Sequence, residues 1–121
     1  MARVLVIDDE EPMREMLQEA FEDDGYDVSV ACDGVEGVKA FRDNPADLVV
    51  TDIIMPNKEG IQVIWELKAE APDLKIIAIS GGNLDESQSD LPLAESFGAS
   101  KSIQKPFSIS EILRVAGELL N

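Results

Sequence analysis

Apolar and polar positions along the chain follow two alternating patterns. Short apolar runs, with the length and composition of β-strands, are separated by segments in which apolar residues recur every three or four positions, as in amphipathic helices. The runs predict five strands, at Arg3–Ile7, Asp27–Ala31, Leu48–Asp52, Lys75–Ser80 and Ser102–Gln104. The intervening segments predict five helices, around Met13–Phe21, Val35–Phe41, Ile61–Leu67, Pro92–Phe97 and Ile112–Leu120. Strands and helices that alternate in this way predict an α/β fold, in which helices cover both faces of a parallel sheet.

The predicted strands differ in how completely apolar they are. The first, third and fourth are apolar throughout and are expected inside the sheet, whereas the second and fifth alternate and are expected at its edges. This distribution matches the doubly wound flavodoxin-like (βα)5 fold, whose strand order is 2-1-3-4-5. The winding reverses between the first and third strands in that order, so a ligand crevice is expected at their carboxyl ends.

Composition narrows the class of protein. The 121 residues suffice for one domain, 1–121, that buries a core without disulfides. The 25 acidic and 10 basic residues give a net charge of -15, which argues against nucleic acid and anionic membranes as partners, because both require a basic surface. The single cysteine, Cys32, excludes an internal disulfide and is expected at the edge of the core. No apolar run approaches the roughly 20 residues of a membrane span, and no signal-like segment follows Met1, so we expect a cytoplasmic protein.

Reactive side chains follow four of the five predicted strands. They are Asp8, Asp9, Asp52, Ser80 and Lys105. Each one alone has an ordinary explanation as a helix cap, a turn residue or a surface charge, but the carboxyl ends of parallel strands share one edge of the sheet. Three carboxylates gathered there would repel one another unless a cation lay among them. Hard oxygen ligands at a partly open site suit Mg²⁺, so the sequence predicts a magnesium site.

Asp52 is the best candidate for a nucleophile, because its strand is central and lies between the acidic pair and Ser80. A carboxylate can attack a phosphoryl group and form an aspartyl phosphate. Mg²⁺, Lys105 and Ser80 could then each stabilise one of the three equatorial phosphoryl oxygens, helped by backbone N–H groups that follow Asp52. The predicted chemistry is therefore phosphoryl transfer to Asp52.

These motifs, in this order, resemble the receiver domains of two-component response regulators, including the single-domain chemotaxis type. The matching residues are Asp8-Asp9, Asp52 with Met55-Pro56, Ser80-Gly81 and Lys105-Pro106-Phe107, and the resemblance extends over the whole chain. It implies phosphorelay signal transduction, with Asp52 as the phosphoacceptor, Asp9 as a direct Mg²⁺ ligand and Asp8 as a ligand largely through water. The phosphoryl donor would be a phosphohistidine on a sensor histidine kinase or a histidine phosphotransfer protein, and the phosphorylated form would act on a downstream output protein.

The resemblance implies further roles at the same site. The backbone carbonyl of Ile54 would complete the metal shell, and Ser80 would bind and sense the phosphoryl group. Lys105 would pair with a phosphoryl oxygen, and a cis peptide bond would join it to Pro106. Such a protein is a phosphoacceptor that assists its own phosphorylation and dephosphorylation, and is not an enzyme acting on other substrates.

The chain departs from the family pattern at Ser102, three residues before Lys105, where the family usually has Tyr or Phe. A serine cannot fill the space that a rotating ring occupies, so we hypothesise that Ser80 instead draws in the polar, glycine-rich segment Gly81–Pro92 as the switch. The alternative is that this segment is only a solvated insertion.

The lifetime of the phosphoryl group is a separate hypothesis. Ile54 and Gly82, which flank the phosphoryl site in family members, offer no acid or amide to position an attacking water. We therefore expect slow spontaneous hydrolysis.

Two other functions compete with this interpretation. Haloacid-dehalogenase-like phosphatases also use an aspartyl nucleophile with Mg²⁺, but one residue separates their paired aspartates, whereas Asp8 and Asp9 are adjacent. A degenerate receiver that serves only as a protein interaction module would not need both Ser80 and Lys105 at the phosphoryl site. The sequence is compatible both with a stand-alone regulator and with a receiver domain cut from a longer regulator.

Overall fold

The computed structural model describes residues 2–53, 60–80, 95 and 98–120. The strands are β1 (Arg3–Ile7), β2 (Asp27–Ala31), β3 (Leu48–Asp52), β4 (Lys75–Ser80) and β5 (Lys101–Gln104). The helices in the described ranges are α1 (Glu11–Asp23), α2 (Gly34–Asp43), α3 (Gly60–Glu70) and α4 (Ile109–Leu120). The proposed switch segment Gly81–Pro92, the Ile54 carbonyl and, apart from Glu95, the predicted helix Pro92–Phe97 lie outside the described residues.

The five strands form one parallel sheet in the order β2-β1-β3-β4-β5, which confirms the predicted fold and strand order. Burial agrees with this order. Strand β3 is buried at all five positions, whereas the first four residues of the edge strand β2 alternate between exposed and partly buried positions. The apolar runs of the sequence therefore mark the strands that have a neighbour on each side.

Helices cover both faces of the sheet. Buried side chains of α2 and α3 pack with one set of strand residues, in a cluster that includes Phe41, Ile64, Leu5 and Val49. Side chains of α1 and α4 pack with the alternate strand residues on the opposite face, in a cluster that includes Phe21, Ile112, Val6 and Val50. Consecutive strand residues point to opposite faces, so both clusters draw on the same central strands.

Local sequence fixes several helix starts. Pro12 lies in the first turn of α1, where a missing N–H leaves no hydrogen bond unmade. The side chain of Asp33 accepts a hydrogen bond from the Glu36 amide at 2.8 Å and caps α2. The hydroxyl of Ser108 accepts one from the Glu111 amide at 3.1 Å and caps α4. These caps set where the chain turns from the carboxyl edge of the sheet into each helix.

Cys32 differs from its prediction. It is exposed, because it lies one residue beyond the end of edge strand β2, and its thiol donates a hydrogen bond to Glu36 Oε2 at 2.8 Å. The expectation that it lies at the edge of the core is wrong.

None of the helices in the described part of the chain has the length and apolar composition of a membrane span.

Candidate functional site

The predicted site residues lie at the carboxyl ends of neighbouring strands. Asp52 ends β3 and Ser80 ends β4, while Asp8 and Lys105 directly follow β1 and β5. Backbone hydrogen bonds extend the pairing to these positions, since the Asp8 amide donates to the Ala31 carbonyl at 3.1 Å and the Lys105 amide to the Ser80 carbonyl at 3.0 Å. The structure therefore places all four residues on one rim of the sheet.

Lys105 contacts the predicted phosphoacceptor directly. Its ammonium donates a hydrogen bond to Asp52 Oδ2 at 3.0 Å, and Asp52 is only 4% exposed. Burial lowers the pKa of Lys105, but the hydrogen bond to Asp52 and the attraction of Asp52, Asp8 and Glu10 outweigh burial, so the pKa is raised overall. The ammonium therefore stays charged against the Asp52 carboxylate.

Asp8 is a buried carboxylate with one unsatisfied oxygen. It is 1% exposed, and its Oδ1 accepts a hydrogen bond from the Glu10 amide at 2.9 Å. Its Oδ2 has no hydrogen-bond partner among the described residues. Burial raises the pKa of Asp8 to about 6, and repulsion from Asp52 and Asp9 adds to this, while the Glu10 amide and Lys105 act in the opposite direction. A buried, unpaired oxygen of this kind is what a bound cation would satisfy.

Three carboxylate groups come together at the rim, those of Asp8, Glu10 and Asp52, with ligand oxygens all within 4.8 Å of one another. This spacing and the oxygen chemistry fit a divalent hard cation such as Mg²⁺. Asp9 is exposed, and the resemblance rather than the described cluster supports it as a ligand. The Arg14 guanidinium also approaches this region, where it donates to the backbone carbonyl of Asp8 at 2.9 Å.

Glu10 was not predicted as a site residue. Its Oε1 lies 3.5 Å from Lys105 Nζ, and its side chain is 64% exposed. In the sequence, Glu10 stands out only as the third acidic residue in the run that follows β1. The fold is needed to show that the Glu10 side chain contacts Lys105.

The remaining predicted residues belong to β4, to β5 and to the segment that follows β5. Ser80 is 6% exposed at the end of β4. Ser102 lies in the middle of β5, opposite Ala78 in the register. The peptide bond between Lys105 and Pro106 is cis, the isomer that the resemblance implies.

Gly60 is a second residue whose importance appears only in the fold. Its amide donates to the Ile53 carbonyl at 2.7 Å, at the first residue of α3. A Cβ atom at this position would lie 2.0 Å from the Asp52 carbonyl oxygen and 2.7 Å from Ile53 Cα. Only glycine therefore lets α3 begin directly against the backbone of Asp52.

Comparison with known proteins gives a family match over most of the chain. A family model described as the response regulator receiver domain matches residues 4–116. Response regulator MprA of Mycobacterium sp. (strain KMS) is 34% identical over 111 residues, which cover 92% of this chain and 47% of MprA. The chain thus spans about half the length of the curated relatives that it matches.

Solved structures show the same similarity. A response regulator receiver domain from Clostridium thermocellum is 31% identical, with a TM-score of 0.90 over 100% of this chain and 95% of that one. The response regulator TrrA of Thermotoga maritima, solved in complex with Mg²⁺ and BeF, is 33% identical, with a TM-score of 0.86 over 99% of this chain and 100% of that one. The chain therefore belongs to the receiver domains of two-component response regulators, the family that carries out phosphorelay signalling.

Proposed function

We propose that this receiver accepts a phosphoryl group on the Asp52 carboxylate from a phosphohistidine of a separate kinase or phosphotransfer protein. The observation that carries the proposal is the buried Asp52 carboxylate at the centre of the rim, in contact with the Lys105 ammonium at 3.0 Å. The absence of histidine from this chain is consistent with a donor on another protein.

In the proposed reaction, an Asp52 oxygen attacks phosphorus while the bond from phosphorus to the donor imidazole nitrogen breaks. The imidazole keeps the electron pair and takes up a proton from solvent, and Asp52 becomes an acyl phosphate. Lys105, whose ammonium donates to an Asp52 oxygen at 3.0 Å, would neutralise a phosphoryl oxygen. The Ser80 hydroxyl, at the end of the adjacent strand, is our candidate for a donor to another phosphoryl oxygen.

We propose Mg²⁺ as the cofactor. Asp8 and Asp52 would hold it, together with Asp9 and the Ile54 carbonyl on the strength of the family resemblance. The buried, unpaired Oδ2 of Asp8 supports this, as does the carboxylate spacing within 4.8 Å. When bound, the ion would supply positive charge that offsets the carboxylates and the charge of a phosphoryl group.

We further propose that the protein assists its own phosphorylation and dephosphorylation without acting as an enzyme on other substrates. Its phosphorylated form would contact a downstream output protein. The acidic charge of -15 disfavours nucleic acid and anionic membranes as direct partners, and the single cysteine fits a reducing cytoplasm.

The test is incubation of the full chain with acetyl phosphate, with and without Mg²⁺, followed by intact mass spectrometry. Wild type should gain the mass of one phosphoryl group only with Mg²⁺, and Asp52→Asn should gain none. A degenerate receiver that acts only as an interaction module predicts no uptake by either protein. Phosphoryl uptake by Asp52→Asn equal to that of wild type would show that the phosphoacceptor is a residue other than Asp52.

A further inference from the structure

We propose that Glu10 is a positioning residue that competes with the phosphoryl group for Lys105 and so weakens retention of that group at Asp52. This inference rests on the proposed function of Asp52 as the phosphoacceptor. It goes beyond that function because it assigns a role to a carboxylate that neither binds the phosphoryl group nor accepts it.

The first observation is the position of the Lys105 ammonium between two carboxylates. It lies 3.0 Å from Asp52 Oδ2 and 3.5 Å from Glu10 Oε1. The Asp52 side chain is 5% exposed, while that of Glu10 is 64% exposed, so one carboxylate is buried in the site and the other is open to solvent. Lys105 itself is largely buried, with 17% of its side chain exposed. The ammonium is therefore shared between an inner and an outer anion.

The second observation is that hydrogen bonds hold the main chain of Glu10, while its side chain does not cap the helix. Glu10 is the N-cap residue of α1, yet its side chain makes no capping hydrogen bond. Its amide donates to Asp8 Oδ1 at 2.9 Å, and its carbonyl accepts from the Arg14 amide at 2.9 Å. The main chain is thus held from both sides, and the carboxylate is left to pair with Lys105.

The charges explain why this pairing opposes phosphorylation. Asp8, Glu10 and Asp52 place three carboxylates around the Lys105 ammonium. Together with Asp9, these carboxylates outnumber the positive charges that Lys105 and a divalent cation would supply. The acyl phosphate carries roughly -1.5 to -2 at neutral pH in place of the -1 of the Asp52 carboxylate, so phosphorylation adds roughly -0.5 to -1 to the site. The Glu10 carboxylate repels this added charge and retains part of the Lys105 interaction that the phosphoryl group needs.

The test compares Glu10→Gln with Glu11→Gln in the full chain. Glu11 is the neighbouring exposed acid in the first turn of α1, so its variant removes the same formal charge from the same region. Affinity for beryllofluoride at saturating Mg²⁺ is measured by isothermal titration calorimetry at low and at high salt. Affinity for Mg²⁺ alone is measured separately in each variant, because Glu10 lies within ligand distance of the carboxylate cluster.

We expect Glu10→Gln to bind beryllofluoride roughly three- to tenfold more tightly than wild type, which is the effect of one unit charge about 4 Å away in nearly bulk-water surroundings, as the exposure of the Glu10 side chain warrants. High salt should reduce the gain because it screens the exposed carboxylate. Glu11→Gln should stay within about twofold of wild type. A purely structural role for Glu10 predicts neither the gain nor its salt dependence.

Two results would overturn the inference while leaving the proposed function intact. One is beryllofluoride affinity of Glu10→Gln that equals that of Glu11→Gln. The other is a loss of Mg²⁺ affinity in Glu10→Gln of about tenfold, since that size of effect is typical of a metal ligand or its immediate partner. Failure of wild type to bind beryllofluoride with Mg²⁺ would instead count against the proposed function itself.

Discussion

Neutralising Asp8 should stabilise the metal-free protein. Asp8 is 1% exposed, and its Oδ2 has no hydrogen-bond partner among the described residues. In Asp8→Asn, the amide oxygen can still accept from the Glu10 amide, and the new N–H₂ group has nearby acceptors in Glu10 and Asp52, whose carboxylate oxygens lie within 4.8 Å of an Asp8 carboxylate oxygen. The substitution therefore replaces an unpaired anion by a neutral donor in nearly the same volume.

The magnitude follows from the pKa of Asp8, which burial raises from 3.8 to about 6. At about 1.36 kcal/mol per pKa unit, this difference corresponds to at most about 3 kcal/mol between the charged and neutral forms of the folded protein. Solvent at the rim screens part of the charge, so we expect Asp8→Asn to raise the free energy of unfolding by about 1 to 2 kcal/mol near pH 8.

The sign of the pH dependence follows from the same shift. Between the unfolded and folded pKa values the native state binds more protons at Asp8 than the unfolded state, so the stability of wild type falls as pH rises through this window. The advantage of Asp8→Asn should therefore be small below about pH 4 and complete above about pH 7. Saturating Mg²⁺ should stabilise wild type more than the variant and reduce or reverse the difference.

Urea denaturation followed by far-ultraviolet circular dichroism gives the measurement. Trp65 is a poor fluorescence probe here because it is already 59% exposed in the folded state. Asp9→Asn is the matched control, since Asp9 is adjacent and exposed, and its metal-free stability should change by less than about 0.5 kcal/mol. Equal stabilities of the two variants without metal, or a loss of stability in Asp8→Asn, would refute the reasoning.

Three further predictions concern the surroundings of Asp52. Gly60→Ala should lose about 3 kcal/mol of stability and most of its phosphoryl uptake, because the new Cβ would lie 2.0 Å from the Asp52 carbonyl oxygen. The control, Gly117→Ala, has open space at that position and should lose no stability in urea denaturation. Amide exchange with Mg²⁺ and beryllofluoride should slow across Gly81–Pro92 if that segment is the switch, and unchanged protection there would contradict it. Phosphorylated Asp52 should persist well beyond seconds in a mass-spectrometric time course, and complete loss within seconds would contradict slow hydrolysis.

The fold was predictable because its strands differ in burial. Strand β3 is buried on both faces, and its sequence is a continuous apolar run. Strand β2 has a neighbour on one side only, and its sequence alternates between polar and apolar residues. The shared rim then follows from the parallel arrangement, which brings Asp52 and Lys105 together although they are far apart in sequence. The strand order and the position of the rim both follow from the spacing of apolar residues, which can be seen in a single sequence.

Glu10 and Gly60 were not predictable in the same way. The direction of the Glu10 side chain depends on the turn that the Glu10 amide makes with Asp8 Oδ1, and no periodic pattern encodes that turn. The need for glycine at position 60 comes from a close approach to the Asp52 carbonyl, which depends on how α3 packs beneath the rim. Both features arise from three-dimensional contacts between segments whose sequences look like ordinary loops.

Asp8 and Glu10 should act on different quantities although both belong to one carboxylate cluster. Asp8 is 1% exposed, so its charge affects the free energy of unfolding. The side chain of Glu10 is 64% exposed, and an exposed ion pair such as that with Lys105 contributes at most about 1 kcal/mol to stability. Glu10→Gln should therefore leave stability nearly unchanged while it tightens beryllofluoride binding, and Asp8→Asn should raise stability while it weakens Mg²⁺ binding. Burial of each carboxylate, and not its membership of the cluster, decides which of the two measurements its charge controls.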